Sequence, residues 1–158
     1  MEIIEIYGEE KRRYMPLLLL ADESEEMLGR YLGRGRMFVL LSGGGAAAEC
    51  VVTDEGGGVL EIKNLAVAPE AQGRGYGRAM LEFVSRRFAG RFHTLLAGTG
   101  ESPLTVPFYE KCGFVYSHRV RDFFTENYPE AIVEAGVTLR DMVYFKRVIS
   151  DEKAEAGH

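Results

Sequence analysis

Apolar and polar residues alternate through Glu2, Ile3, Ile4, Glu5, Ile6 and Tyr7, the period of a half-buried strand. The period then lengthens, and two helical segments are expected, over 9–21 and 24–33. Pro16 limits the first, because a proline inside a helix removes a donor and crowds the preceding turn. Ser24 followed by Glu25 and Glu26 supplies an N-cap and an acidic first turn for the second. Next, MFVLLS (37–42), AAAECVVT (46–53) and VLEIKNLAVA (59–68) read as strands, separated by GGG at 43–45 and DEGGG at 54–58, the chemistry of hairpin turns. Met80, Leu81, Val84 and Phe88 recur at helical spacing, with Glu82 and Arg86 placed for an i,i+4 pair on the exposed side. Beyond this helix FHTLLAG (92–98) is strand-like, SPLTVPFYEKCGF holds a short helix ending at Gly113, and FVYSHR (114–119) is another strand. Residues 122–138 read as irregular, with Pro129 and Gly136 as breakers, before DMVYFKRVI (141–149) closes the sheet. The pattern predicts one α/β (α+β) domain over 1–150 with a mixed, mainly antiparallel sheet of about seven strands flanked by helices. Residues 151–158 are expected as a polar tail.

Composition narrows the function. A chain of 158 residues with 46% hydrophobic and 27% charged residues buries a core without disulfides or a structural metal. The formal net charge of -5 argues against nucleic acid as a partner, since such proteins present a basic stripe to phosphates. Cys50 and Cys112 are too few for a disulfide scaffold and lack C-x-x-C spacing, so they read as buried thiols of a reducing, cytoplasmic compartment. Lys11-Arg12-Arg13 before YMPLLLLA resembles a signal peptide, but a strand-like run precedes it and acidic DESEE follows where small cleavage-site residues belong. No apolar run approaches membrane-spanning length, so no membrane partner is expected.

The candidate chemistry lies in VAPEAQGRGYGRAM (67–80), where three glycines alternate with other residues just before the helix. The glycine triplets at 43–45 and 56–58 are not equivalent, because each joins two strands with no helix dipole behind it. The dinucleotide fingerprint G-x-G-x-x-G/A fails: from Gly73 it meets Arg78, and from Gly75 it meets Met80. The NTPase phosphate loop fails because Arg78-Ala79 replaces the required lysine and hydroxyl. What remains is Q-x-x-G-x-G at Gln72, Gly75 and Gly77, on a turn from strand to amphipathic helix. Open N–H groups at the helix start favour an anion there, and glycines let the backbone approach it.

This motif, with PFYEKCGF (107–114) as a second signature and the order of elements along nearly the whole chain, resembles the GNAT superfamily of acyl-CoA-dependent N-acyltransferases. The resemblance implies an N-acetyltransferase that moves an acetyl group from acetyl-CoA to a primary amine by direct attack in a ternary complex. It assigns the pyrophosphate of coenzyme A to Gln72, Gly73, Arg74, Gly75, Tyr76 and Gly77, with charge added by Arg78. Backbone N–H groups near Leu65, Ala66 and Val67 are expected to meet the thioester oxygen. Tyr109 is the implied general acid for the departing thiolate; the same tyrosine also reads as core packing beside Phe108 and Phe114.

Glu61, 11 residues before Gln72, matches the base of the histone-modifying branch, and strand alternation would place it on the face of Leu65 and Val67. It reads equally as a surface glutamate paired near Lys63. The family's asparagine after the fifth strand is missing from GTGESP, leaving Thr99 or Ser102 to contact the pantetheine arm. Cys112 falls near the expected cofactor thiol, with no base legible for an acyl-cysteine. His93, His118 and His158 lack ligand spacing, so no metal is expected. On the acceptor side Phe123, Phe124 and Tyr128 are expected to form a wall, and Glu126, Glu130 and Asp141 to favour a cationic amine; a solvated acidic loop fits the same residues. A homodimer using Phe123, Phe124 and Tyr144 is the implied assembly. A non-catalytic acyl-CoA sensor would keep the loop and need neither Glu61 nor Tyr109.

Overall fold

The computed structural model describes residues 1–150; the expected tail over 151–158, including His158, lies outside the described residues. β1 (Glu2–Ile6) leads through a 3-10 turn over Gly8–Tyr14 into α1 (Met15–Ala21) and α2 (Glu25–Gly29). Pro16 sits in the first turn of α1, where its missing N–H removes no helix bond, so the stretch read as one helix over 9–21 divides there. The Ser24 hydroxyl accepts from the Met27 N–H at 3.2 Å, the expected cap, but α2 stops at Gly29 and turns follow.

β2 (Arg36–Ser42), β3 (Gly45–Gly56) and β4 (Val59–Val67) form an antiparallel meander. α3 (Tyr76–Phe88) then crosses over to β5 (Thr94–Gly100), followed by α4 (Val106–Lys111) and β6 (Val115–Val120). The segment expected to be irregular contains α5 (Phe123–Asn127) and a small hairpin, β7 (Val133–Glu134) with β8 (Val137–Thr138), before β9 (Met142–Val148). The seven-stranded sheet has the order β1-β2-β3-β4-β5-β9-β6, and only β4 and β5 run parallel.

Apolar clusters cover both faces. Met80, Leu81, Val84 and Phe88 of α3 pack on Phe38, Leu40, Cys50, Val52, Leu60 and Ile62. Leu18, Leu28, Tyr31 and Leu32 pack on Met37, Val39 and Val51 from the other side. Full burial of each large apolar side chain contributes about 1.5–3 kcal/mol.

Two irregularities shape the centre. First, Val51 pairs with Asn64 and Val52 with Ile62, so Lys63 is a bulge without a partner in β3. The extra residue shifts the alternation: Leu65 and Val67 share the α3 face with Leu60 and Ile62, whereas Asn64 points to α1 and donates to Leu18 O. Glu61 is therefore not on the face of Leu65 and Val67, as unbroken alternation would require. Second, β4 pairs with β5 only from Val59–Ile62 to Thr94–Ala97. Beyond Ile62, β4 keeps its bonds to β3 and β5 keeps its bonds to β9, and the strands part.

Candidate active site

The parting opens a cleft of about 370 Å³ at the centre of the sheet. Its floor is Ile62–Val67 of β4 and Gly98–Gly100 of β5; Thr105 and Tyr109 close its back, and Gln72 stands at one end. Leu20, Ala21, Asp22 and Glu23 form one side wall. The 121–142 segment supplies Phe124, Tyr128, Glu134 and Leu139 on the other. Ala68 N donates to Ala47 O, so alternation turns the N–H and C=O of Ala66 toward β3 and those of Leu65 and Val67 toward the cleft. Of the three residues expected to offer backbone donors, Leu65 and Val67 have the open edge. In this structure Gln72 Nε2 bonds to Val67 O at 3.3 Å.

At the Gln72 end the chain turns into α3. Gly73 and Gly75 both have φ of +80°, a left-handed conformation natural to glycine, and a Cβ at either would meet no atom within 4 Å. Gly75 is the N-cap and offers no side chain to the first turn, so the amides there lack a capping partner. Arg74 and Arg78 are exposed, and among the described residues neither pairs with a carboxylate. An uncapped 13-residue helix flanked by two exposed guanidiniums presents a positive potential at its start.

Gly77 and Tyr76 have other duties. A Cβ on Gly77 would lie 3.1 Å from Phe108 Cζ, so that glycine lets α3 and α4 approach each other. The Tyr76 hydroxyl lies 2.8 Å from Ser42 Oγ, a bond that holds its proton affinity below the ordinary phenol. These two contribute backbone to the first turn while their packing serves the fold.

Tyr109 is held in place by the way α4 ends. Gly113, at φ +86°, lets Phe114 N bond to Tyr109 O (3.0 Å) and Gly113 N to Glu110 O (3.1 Å), a Schellman stop. The following Phe114 packs its ring edge-on to Tyr109 at 5.4 Å; Phe108 does so at 5.2 Å, and Phe145 stacks at 6.2 Å. The spacing Y-E-K-C-G-F is thus a helix stop that locks an aromatic cage. The Tyr109 hydroxyl has no hydrogen-bond partner among the described residues, and burial raises its affinity for the proton. It is a protonated donor at the back of the cleft.

The remaining expected residues separate. Thr99 lines the cleft. Ser102 does not: it is 3% exposed, and its Oγ accepts from Leu104 N at 3.2 Å to shape the entry to α4. Cys112 is buried outside the cleft lining, and burial pushes its thiol up. Glu61 also lies outside the lining; burial pushes its carboxyl up against the pull of Lys63, whose Nζ is 3.0 Å away and which does face the cleft. Phe124 and Tyr128 line the acceptor side, stacked at 5.6 Å, whereas Phe123 does not. Glu126 and Glu130 are exposed outside the lining, and Asp141 is taken by Arg119 at 2.9 Å and Asp122 N at 2.9 Å. The cleft's own carboxylates are Asp22, Glu23 and Glu134. Asn64, on the floor, was missed by the sequence reading; the Tyr31 hydroxyl joins it at 3.1 Å to Asp22 at 3.3 Å. No group of three His, Cys, Asp or Glu side chains able to hold a metal occurs among the described residues.

A parted parallel strand pair, with an uncapped helix start at one end and a buried phenol at its back, suits an extended ligand with an anionic end. Comparison with known proteins agrees. The family model described as acetyltransferase (GNAT) domain matches residues 33–116. The chain is 34% identical over 142 residues to the uncharacterized N-acetyltransferase YvbK of Bacillus subtilis, across 89% of this chain and 92% of that one. Its fold matches an IAA acetyltransferase from Bacillus cereus with a TM-score of 0.85 at 32% identity, covering 93% of this chain and 99% of that one. It matches a GNAT family acetyltransferase from Elizabethkingia anophelis, crystallised with acetyl-CoA bound, with a TM-score of 0.87 at 31% identity, covering 93% and 97%. The chain belongs to the GNAT family of acetyltransferases.

Proposed function

We propose that this acetyl-CoA-dependent N-acetyltransferase holds the coenzyme A pyrophosphate on the first turn of α3, lays the pantetheine arm along the open edge of β4, and admits a primary amine between α1 and the 121–142 segment. The observation that carries this reading is the open edge of Leu65 and Val67, shared in one cleft with the start of α3 and Tyr109. The acetyl-CoA bound to the Elizabethkingia protein supports it.

Arg74 and Arg78 supply charge to the pyrophosphate, and the arm displaces the Gln72 amide from Val67 O. An alkyl ammonium has an ordinary pKa of about 10.4, so a proton must leave before attack. Glu61, just outside the lining, takes it by way of solvent, drawing on its raised proton affinity while Lys63 stays paired with it at 3.0 Å. The amine nitrogen then attacks the thioester carbon. The oxyanion accepts from a β4 edge amide, the C–S bond breaks, and the thiolate takes the Tyr109 proton while the new amide nitrogen releases its second proton to solvent.

Acetyl-CoA titration with thiol-release assays over an amine panel tests the assignment. Binding without turnover of any amine would make the chain an acyl-CoA-binding module instead. Glu61→Gln is expected to leave acetyl-CoA affinity intact and to remove the acidic limb of the pH profile; an unchanged limb rejects the base. The enzyme works in the cytoplasm in this reading, its two thiols buried and unpaired. A homodimer would form through the β6 edge, where Val115 and Tyr116 are more than half exposed, and not through Phe124, which is 9% exposed. Sedimentation as a monomer above micromolar concentration rejects that dimer.

A further inference from the structure

Resting on the acceptor side assigned above, we infer that the acceptor carries a second positive charge besides the amine that is acetylated, and that Asp22 is the residue that selects it. Asp22 follows the last turn of α1 and lines the cleft. Its carboxylate accepts from the Tyr128 hydroxyl at 2.8 Å, the Tyr31 hydroxyl at 3.3 Å and Ser24 N at 3.3 Å. All three donors are neutral, so the charge is oriented but not compensated. Glu23 beside it and Glu134 on the opposite wall also face the cleft, and no lysine or arginine among the described residues pairs with any of the three. The nearby cations are engaged, Arg30 with Glu26 at 3.6 Å and Lys63 with Glu61 at 3.0 Å.

A second observation, on the β4 floor beside Tyr31, points to a nitrogen ligand. Asn64 is 3% exposed and lines the cleft; its amide donates to Leu18 O at 3.0 Å and to the Tyr31 hydroxyl at 3.1 Å, and its buried Oδ1 has no donor among the described residues. Hydrogens to spare with no acceptor are what a primary or secondary ammonium offers. The stacked rings of Phe124 and Tyr128 add an apolar surface for an alkyl spacer.

A second charge also fits the proton bookkeeping of the reaction. The attacking nitrogen must be neutral, so it surrenders its positive charge before the C–N bond forms. The charge on the attacking nitrogen changes as protons leave it, whereas a charge elsewhere on the acceptor stays paired with these carboxylates at every stage. The acceptor class is a diamine or an amine with a basic side chain.

Calorimetry with putrescine and cadaverine against butylamine and pentylamine, with and without coenzyme A, reads this directly. The diamines should bind at least about tenfold tighter than the monoamines, the scale of one charge-assisted hydrogen bond. Asp22→Asn and Glu134→Gln should each shrink that ratio, while Glu126→Gln, outside the cleft, should keep it; unfolding midpoints confirm that the variants fold. Equal affinity for matched monoamines, or an undiminished ratio in Asp22→Asn, overturns the inference. Amine binding is measured without turnover, so this failure is distinct from a failure to bind or use acetyl-CoA, which would reject the enzymatic reading.

Discussion

Replacing Tyr109 by Phe removes one hydroxyl and nothing else from the back of the cleft. The three rings around it pack against its ring, and no group among the described residues hydrogen-bonds the hydroxyl, so stability should change by less than about 0.5 kcal/mol. The chemical cost is of another order. An ordinary phenol near pKa 10 gives its proton to an alkyl thiolate near 8.5 at a disadvantage of roughly 2 kcal/mol. Burial raises the Tyr109 phenol further and widens the gap, but it desolvates a thiolate in the same cleft in the same direction, so the pair stays matched closely enough for transfer. Losing a positioned acid should lower kcat by about 10²- to 10⁴-fold, or roughly 3–5 kcal/mol of barrier, with acetyl-CoA affinity nearly unchanged. Single-turnover kinetics beside calorimetric titration of acetyl-CoA make the measurement. Because the raised phenol keeps its proton through ordinary assay pH, the wild type should show no basic limb from this group below about pH 10. Equal turnover in the two proteins refutes the role, and a loss confined to affinity makes the hydroxyl a cofactor contact.

The two glycines of the loop should fail differently. Gly75→Val forces a β-branched residue to φ +80°, a strain of about 1–3 kcal/mol, and puts a side chain over the first-turn amides, so CoA affinity should fall at least tenfold; unchanged affinity removes the loop from the site. Gly77→Ala instead presses on Phe108, the neighbour of Tyr109, and should reduce kcat more than affinity; a pure affinity loss on steady-state analysis contradicts this. Glu49 is fully buried on β3 with no side-chain partner for its carboxyl among the described residues, and burial lifts its proton affinity well above the ordinary value against the pull of the Ala66 N–H. A raised carboxyl pKa in the folded state means that stability falls as pH rises past the unfolded value near 4.3, by up to about 1.4 kcal/mol per unit until the folded value is reached. Glu49→Gln should remove that slope, so that variant minus wild-type stability from urea melts grows with pH; a flat difference rejects it.

Much of this architecture was legible in the chain. Alternation marked β2, β3 and β4, and helical spacing marked α3 with its inward Met80, Leu81, Val84 and Phe88. The glycine loop and the Y-E-K-C-G-F stop were legible because each depends on local backbone chemistry. The Lys63 bulge was not, since a bulge leaves alternation intact in sequence and shifts it only against a partner strand. That one residue moved Glu61 off the face of Leu65 and Val67. The acceptor wall was hidden for a related reason: DESEE reads as the start of α2, and Asp22 becomes part of a site only when Tyr128, 106 residues later, bonds to it. Glu126, Glu130 and Asp141 looked like the site's charges because sequence proximity to the aromatics stood in for geometry.

The four-residue pairing of β4 with β5 makes the sheet two plates, one of four strands and one of three, joined by a short seam and by α3 packed across it. A pantetheine arm lying against Leu65 and Val67 would take the place of the missing neighbour strand and wedge the plates at a set angle. Cofactor binding would then complete a secondary structure, and the stiffness of the plates against each other would enter the cofactor's affinity. Amides of the open edge would exchange with solvent at rates governed by the small molecule, while those of the seam report the motion of the plates.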